Sequence, residues 1–178
     1  MAKIYISSTY SDLKEHREIV SRTLRQMRHE VIAMEDYVAT DQRPLAKCLA
    51  DVGGCDIYVG IIAWRYGYVP AKDNPEHRSI TEMEFRQAAL TGKPCLIFLL
   101  SEDHPWSPSK MEKGEGGERL RALRAELSES RMASFFSSEE NLARLVGTAV
   151  SNCNSARPEM GPRPTAAHTQ EPNLGQLV

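Results

Sequence analysis

Three nearly unbroken apolar segments set the tightest limit on how this chain folds. They cover residues 4–6, 57–63 and 95–100. Strands that are covered on both faces read as continuous apolar runs, whereas half-exposed strands alternate apolar with polar residues. We therefore predict buried strands of a parallel sheet. Weaker strand signals at 31–34 and 133–136 raise the predicted number of strands to five.

Helical patterns separate the predicted strands. Apolar residues keep to one face of a helix between residues 12 and 29, and further helices are predicted over 44–52, 81–91, 118–128 and 138–150. Strands that alternate with helices form right-handed crossovers and a parallel sheet. Five strands and five helices therefore predict an α/β domain of the flavodoxin-like three-layer type, with a five-stranded parallel sheet in the order 2-1-3-4-5.

The first helix has a possible capping sequence in front of it. Thr9 and Asp12 stand three residues apart in the S/T-x-x-D/E form of an N-terminal cap. The segment 101–117, which contains several prolines and glycines, is long for a connection. We expect that segment to be a mobile surface loop.

Composition and charge limit the partners. A net charge of -2 over 178 residues does not suggest a basic surface for nucleic acid. Its apolar runs are too short to span a bilayer, and its beginning lacks the apolar region of a signal peptide. Four cysteines without a CxxC pair and five scattered histidines predict no metal site. We expect a cytoplasmic protein that uses no metal and no cofactor and binds neither nucleic acid nor membrane.

The composition changes near the C-terminus. After residue 152, prolines and glycines occur among almost no apolar residues, and no helical or strand period continues. We expect an α/β domain over 1–152 and a Pro-rich disordered tail or linker over 153–178. Such a linker is typical of a domain that is attached to another module.

A ligand site is expected where the strand order reverses. In the order 2-1-3-4-5 that point lies between strands one and three, outside their carboxyl ends. Polar or aromatic residues follow both strands, and the candidate ligand-binding residues there are Ser7, Ser8, Thr9, Trp64 and Arg65. The alternative is structural: the serines satisfy the turn, the tryptophan is core, and the arginine pairs with a surface carboxylate.

Two glutamates at the start of the third helix are candidates for catalysis. Ser79 and Glu82 form a capping box, which assigns Glu82 a structural role. Thr81 and Glu84 have the same form, but only one of the two frames can cap the helix. If Ser79 is the cap, Glu84 has no such structural role. Glu84 is therefore the candidate catalytic residue.

Several motifs, taken as an ordered set, resemble a known family. They are IYISST with SDL at 4–13, CDIYVG at 55–60, WRYG at 64–67, SITEMEF at 79–85 and GKP at 92–94. The set resembles the TIR-like domain of unknown function found at the N-terminus of bacterial STAND ATPases and tetratricopeptide-repeat proteins. The resemblance covers residues 3 to about 150.

The resemblance implies an activity and site residues. The wider group contains TIR domains and nucleoside 2-deoxyribosyltransferases, which place a glutamate on the helix after the third strand. Glu84, with Thr81 three residues before it, matches that frame. The implied function is cleavage of the N-glycosidic bond of NAD or a related nucleotide in a bacterial defence or stress pathway. Glu84 would be catalytic, and Thr81, Ser8 and Arg65 would contact the ligand.

Two other functions stay open. The chain could be a non-catalytic module for self-association or recruitment, with Trp64, Tyr66 and Tyr68 as contact residues. A nucleoside 2-deoxyribosyltransferase-like enzyme is the third reading. Under the first two readings we expect self-association and a C-terminal sensor or ATPase module.

Overall fold

The sheet has the predicted architecture. The computed structural model describes residues 1–33, 45–129 and 133–155. Its strands are β1 (Lys3–Ser7), β2 (Glu30–Ile32), β3 (Ile57–Ile62), β4 (Cys95–Leu100) and β5 (Ala133–Phe136). All neighbouring strands are parallel, and their order is β2-β1-β3-β4-β5. The predicted α/β fold with strand order 2-1-3-4-5 is confirmed.

Five α-helices connect or follow the strands. They are α1 (Lys14–Gln26), α2 (Leu45–Gly54), α3 (Ile80–Leu90), α4 (Gly114–Glu129) and α5 (Glu139–Ser155), and a short 3-10 turn covers Pro108–Lys110. Within the described ranges, no helix combines the length and apolar character needed to cross a lipid bilayer.

The helices bury both faces of the sheet. All six residues of β3 are buried, as expected for a central strand in a covered sheet. On one side, which we call the α1 face, an apolar cluster joins the sheet to α1 and α5. On the other side, the α3 face, a second cluster joins it to α2, α3 and α4. Helices therefore cover the sheet on both faces.

The predicted cap of the first helix is wrong. Helix α1 begins at Lys14, and its N-cap is Leu13, which makes no side-chain capping bond. Leu13 is fully buried in the apolar cluster of the α1 face, so packing fixes the turn before the helix. The Asp12 carboxylate consequently caps nothing and is itself buried.

Other helices begin or end at residues that differ from those predicted. Helix α4 begins at Gly114 rather than at 118, and the 3-10 turn orders part of the expected loop 101–117. Helix α5 continues to Ser155 and so passes the expected domain boundary at 152. The segment 34–44 lies outside the described residues, and with it the last residue of the expected strand 31–34 and the first of the expected helix 44–52. The segment 156–178, which holds most of the expected tail, lies outside them as well.

A buried arginine fixes the carboxyl ends of the central strands. Arg124 of α4 is 5% exposed and donates to the carbonyls of Ile62 and Ala63 at 3.3 and 3.1 Å and of Leu100 at 2.7 Å. Its guanidinium lies 4.1 Å from the ring centroid of Trp64. One side chain thereby satisfies backbone acceptors at the edge where the site is expected.

We predict that Arg124→Met destabilises the fold by about 2–4 kcal/mol, because three carbonyls lose a charged donor in a buried place. Urea unfolding followed by circular dichroism measures the change. Arg121→Met is the matched control on the exposed side of the same helix and should leave the midpoint near wild type. Equal midpoints for the two variants would show that Arg124 does not hold this edge.

Candidate active site

The side chain of Glu84 faces the sheet and not the solvent. Glu84 lies on α3 and is 6% exposed. Tyr5 donates its hydroxyl to Glu84 Oε1 at 2.6 Å, and Ser7 donates to Oε2 at 2.5 Å. Ser7 is the last residue of β1, so the carboxylate stands at the carboxyl end of that strand. The structure thus joins Glu84 to Ser7, two of the residues singled out from the sequence.

The register of the strands explains this arrangement. Tyr5 and Ser7 are two residues apart on β1, so both point to the α3 face. Tyr58 pairs with Tyr5 on β3, and their rings stack with centroids 6.2 Å apart. Gly60 pairs with Ser7, and a Cβ there would lie 2.9 Å from Ile97 Cδ1. The glycine therefore leaves no side chain beside the Ser7 hydroxyl.

Tyr58 adds a buried phenol to the same group. Burial, and next the charge of Glu84, raise the pKa of Tyr58 well above its usual value, while a hydrogen bond with Ser7 opposes the rise. Tyr58 therefore stays neutral. Glu84 is surrounded by hydroxyl groups, and each carboxylate oxygen that accepts one of them has capacity for a second hydrogen bond.

Glu82 has a structural role, as predicted, although its carboxylate bonds partners other than the N–H of Ser79. Ser79 is the N-cap of α3, and its Oγ accepts the Glu82 N–H at 3.3 Å. The Glu82 carboxylate accepts the Tyr66 hydroxyl at 2.6 Å and Arg86 at 3.0 Å. Arg86 also bonds Glu126 of α4 at 2.6 Å. Glu82 thus ties α3 to its neighbours, whereas Glu84 is bonded to the carboxyl end of β1.

Ser8 is used within the turn after β1. Its hydroxyl donates to the Thr9 carbonyl at 2.8 Å and accepts from Arg17 Nη1 at 2.8 Å. Arg17 is only 1% exposed. These bonds agree with the structural alternative for Ser8, in which the side chain satisfies local polar groups.

Thr9 and Thr81 meet at Gly67. A Cβ at Gly67 would lie 3.0 Å from Thr9 Cγ2 and 3.7 Å from Thr81 Oγ1, and the φ of +93° favours glycine there. Arg65 lies nearby in the chain and donates to Ser11 Oγ at 3.0 Å. The loops after β1 and β3 and the first turn of α3 therefore come together outside the carboxyl ends of the strands.

The aromatic candidates differ in exposure. Trp64 is half-buried, packs against both apolar clusters and stacks on Arg124. Tyr66 is 2% exposed, so it offers no free contact surface, which corrects the expectation that it is a contact residue. Tyr68 is 65% exposed. Of the three residues, Tyr68 alone presents most of its surface to solvent.

Several polar residues of this edge were not found from the sequence. Tyr5 was read as part of an apolar strand, although the hydroxyl of a buried tyrosine usually has a polar partner. Asp12 was assigned to a helix cap. It is 1% exposed, and burial raises its pKa, against which Thr9, Arg65 and Lys110 act. Trp106 gives no sequence signal, since only the fold brings its ring against that of His16.

The donor set does not suit a metal ion. Across residues 1–33, 45–129 and 133–155, no group of three or more histidine, cysteine, aspartate or glutamate side chains could hold one. The polar groups around Glu84 are hydroxyls, which can bind the hydroxyl and phosphate oxygens of an organic ligand.

The chain is similar to two solved structures and to two curated proteins. The Clostridium botulinum CMP N-glycosidase BcmB has a TM-score of 0.47 at 13% identity, over 83% of this chain and 98% of that one. The TIR domains of the activated Roq1 resistosome have a TM-score of 0.41 at 9% identity, over 82% and 84%. Telomerase protein component 1 of Mus musculus and of Rattus norvegicus are each 27% identical over 72% of this chain.

The curated relatives are much longer than this chain, which spans 6% of the length of each. With both TM-scores below 0.5, the function proposed below rests on the geometry around Glu84. The family match is more extensive, since it covers residues 3–151. The chain belongs to the family described as Domain of unknown function (DUF4062).

Proposed function

We propose that this chain is a TIR-like domain that cleaves the N-glycosidic bond of NAD or a related nucleotide, with Glu84 as the catalytic carboxylate. The supporting observation is the position of Glu84, which is held by Tyr5 and Ser7 at the end of β1. That end borders the crevice where parallel α/β sheets bind their ligands.

A single carboxylate suits this reaction. When the bond between ribose C1′ and the ring nitrogen breaks, its electron pair leaves with the base, and positive charge develops on the ribose. A carboxylate stabilises that charge or attacks C1′ to form a glycosyl ester, as in glycosidases. Water then adds at C1′ and gives up a proton. Nicotinamide leaves NAD as a neutral base, so the departure requires no proton donor.

The two hydroxyl donors position the carboxylate for this role. Tyr5 is a rigid donor, because its ring is stacked on Tyr58 inside the sheet. Ser7 binds the other oxygen, so rotation of the Glu84 carboxylate would break both bonds. A charged group that is fixed in advance stabilises a transition state without the cost of reorganisation.

The wider setting is also proposed. The resemblance supports an N-terminal domain, which includes α5 to Ser155, and an attached C-terminal sensor or ATPase module. The Pro-rich composition supports a linker after that helix. The resemblance also supports self-association and a role in cytoplasmic defence or stress signalling. Thr81, Thr9 and Arg65 remain the proposed ligand contacts, because their loops meet at the crevice.

A second function is favoured by exposed apolar side chains. Leu90 at the end of α3 is 83% exposed, and Phe135 on the edge strand β5 is 51% exposed. Together with Tyr68, they would suit a non-catalytic module that assembles through these surfaces. Sedimentation of wild type and of Phe135→Ser tests assembly. Deoxynucleoside with a free base as substrates tests the third reading, a 2-deoxyribosyltransferase-like enzyme.

We predict that Glu84→Gln lowers the rate of nicotinamide release from NAD by at least about 10²–10³-fold, the usual cost of removing one electrostatic catalytic group. Chromatography of the products, with the protein concentrated or clustered on a support, measures the rate. Glu82→Gln is the matched control on the same helix and should keep activity. Loss of activity in Glu82→Gln with retention in Glu84→Gln would reverse the assignment.

A second prediction concerns the role of Tyr5 as a positioning residue. Tyr5→Phe removes one hydrogen bond to a charged group, so kcat should fall about 10- to 100-fold while KM changes little. Tyr58→Phe is the control, since it removes the adjacent phenol but keeps the Tyr5 and Ser7 hydroxyls that donate to Glu84. A Tyr5→Phe enzyme with wild-type kcat would contradict the positioning role.

A further inference from the structure

Buried polar atoms without a hydrogen bond of good geometry gather at the start of α1. Within the described part of the chain, five buried side-chain atoms make no such bond: Thr9 Oγ1, both Asp12 carboxylate oxygens, His16 Nδ1 and Trp106 Nε1. Thr9 lies close enough to Asp12 to act against the rise in the pKa of its carboxyl, so the Thr9 hydroxyl faces the carboxylate without satisfying it. The rings of His16 and Trp106 lie 5.7 Å apart, and Lys110 Nζ lies 5.2 Å from the Trp106 ring centroid. Lys110 also acts on the pKa of both Asp12 and His16. The five atoms therefore belong to one cluster, which we call the Asp12 cluster.

The five buried atoms of the Asp12 cluster contribute no hydrogen bond of good geometry that would stabilise the fold. Buried polar atoms are nearly always hydrogen-bonded, and an unpaired carboxylate is among the costliest groups to bury. Asp12 is 1% exposed and His16 is 4% exposed, yet Asp12 does not cap α1. Groups that are costly in the folded state and serve no structural bond are typical of binding sites.

The unpaired atoms define the chemistry of a ligand. Asp12 offers acceptors when ionised. Burial lowers the pKa of His16, so its ring is neutral, and its Nε2 lies 3.7 Å from Glu139 Oε1. A proton on Nε2 would face that carboxylate and would leave Nδ1 as an acceptor. Trp106 Nε1 is a donor, and Thr9 Oγ1 can donate or accept. A site with several hydrogen-bond acceptors next to one donor is suited to a ligand that carries adjacent hydroxyl groups.

Two half-buried cationic side chains, those of Arg65 and Lys110, lie near Asp12. The charges of Arg65 and Lys110 are close enough to Asp12 to act against the rise in its pKa. Arg65 has a hydrogen bond to Ser11 Oγ, and Lys110 lies over the Trp106 ring. The Arg65 and Lys110 side chains both retain N–H donors in this arrangement. A ligand with a phosphate next to its hydroxyl groups would therefore place a negative charge beside these two positive charges.

The segment 101–113 covers the Asp12 cluster. Its ends are fixed, because Ser101 N donates to the Phe136 carbonyl and Glu112 N donates to the Trp64 carbonyl, each at 2.8 Å. Trp106, in the middle of this segment, packs on His16 while residues on both sides of it are exposed. A ligand would reach Asp12 by displacing the Trp106 ring between two fixed ends.

We propose that Thr9, Asp12, His16 and Trp106 form a subsite for the hydroxyl groups of a phosphorylated pentose, with Arg65 and Lys110 facing its phosphate. The inference deepens the proposed function, because a phosphorylated pentose is a part of every nucleotide. The Asp12 cluster lies on the α1 face, opposite the Glu84 carboxylate on the α3 face. Thr9 belongs to the cluster and lies, with Thr81, against Gly67, so the Asp12 cluster borders the first turn of the helix that carries Glu84.

Ribose 5-phosphate is the probe, since it has no base to release and binds independently of catalysis. The protein has two tryptophans, which can be labelled as 5-fluorotryptophan and followed by fluorine NMR, with Trp106→Phe assigning the signals. We expect ribose 5-phosphate to shift the Trp106 signal. Asp12→Asn should weaken that binding at least about tenfold, as expected when a charged hydrogen-bond acceptor is lost. Thr9→Val should weaken it in the same direction.

Three results would overturn the subsite. They are an unchanged Trp106 signal with ribose 5-phosphate, equal binding in wild type and in both Asp12→Asn and Thr9→Val, and an equal shift with inorganic phosphate alone. The last result would identify an anion site at the two cations without recognition of a sugar. The experiment stands apart from the proposed function, because a domain without glycosidase activity can still bind the probe.

Discussion

The carboxylate of Glu84 between the hydroxyls of Tyr5 and Ser7 is the contact on which the site depends. It forms only if β1 and β3 are parallel neighbours in this register and α3 packs across them. The register places Gly60 beside Ser7, where a side chain would crowd Ile97 and Tyr58. A long-range contact between the first strand and the third helix thus results from the topology of the sheet.

The two faces of the sheet give the carboxyl edge two kinds of polar group. On the α3 face, each Glu84 carboxylate oxygen accepts a hydroxyl that orients it. On the α1 face, Asp12 is buried without such bonds. The first arrangement suits a preorganised catalytic charge, and the second suits a group whose partners come from a ligand. Arg124 keeps the ends of β3 and β4 in place between them.

Much of the fold could be predicted from the sequence, because continuous apolar runs and helical periods are local signals. The Ser79 cap could also be predicted, because it depends on a spacing of three residues, and it distinguishes Glu82, whose N–H it binds, from Glu84. The cap at Thr9 failed because the burial of Leu13 outweighed it. Tyr5 and Trp106 could not be assigned, since their partners are distant in the chain and only tertiary packing makes them neighbours.

The central claim is that Glu84 faces the anomeric carbon of a bound nucleotide. A crystal structure with a non-cleavable NAD analogue, in which the glycosidic nitrogen is replaced by carbon, measures this directly. The account predicts a Glu84 oxygen within about 3.5 Å of C1′, the separation typical of reacting atoms, with Tyr5 and Ser7 still bonded to the carboxylate. An analogue bound elsewhere on the domain, with no ribose beside Glu84, would contradict it.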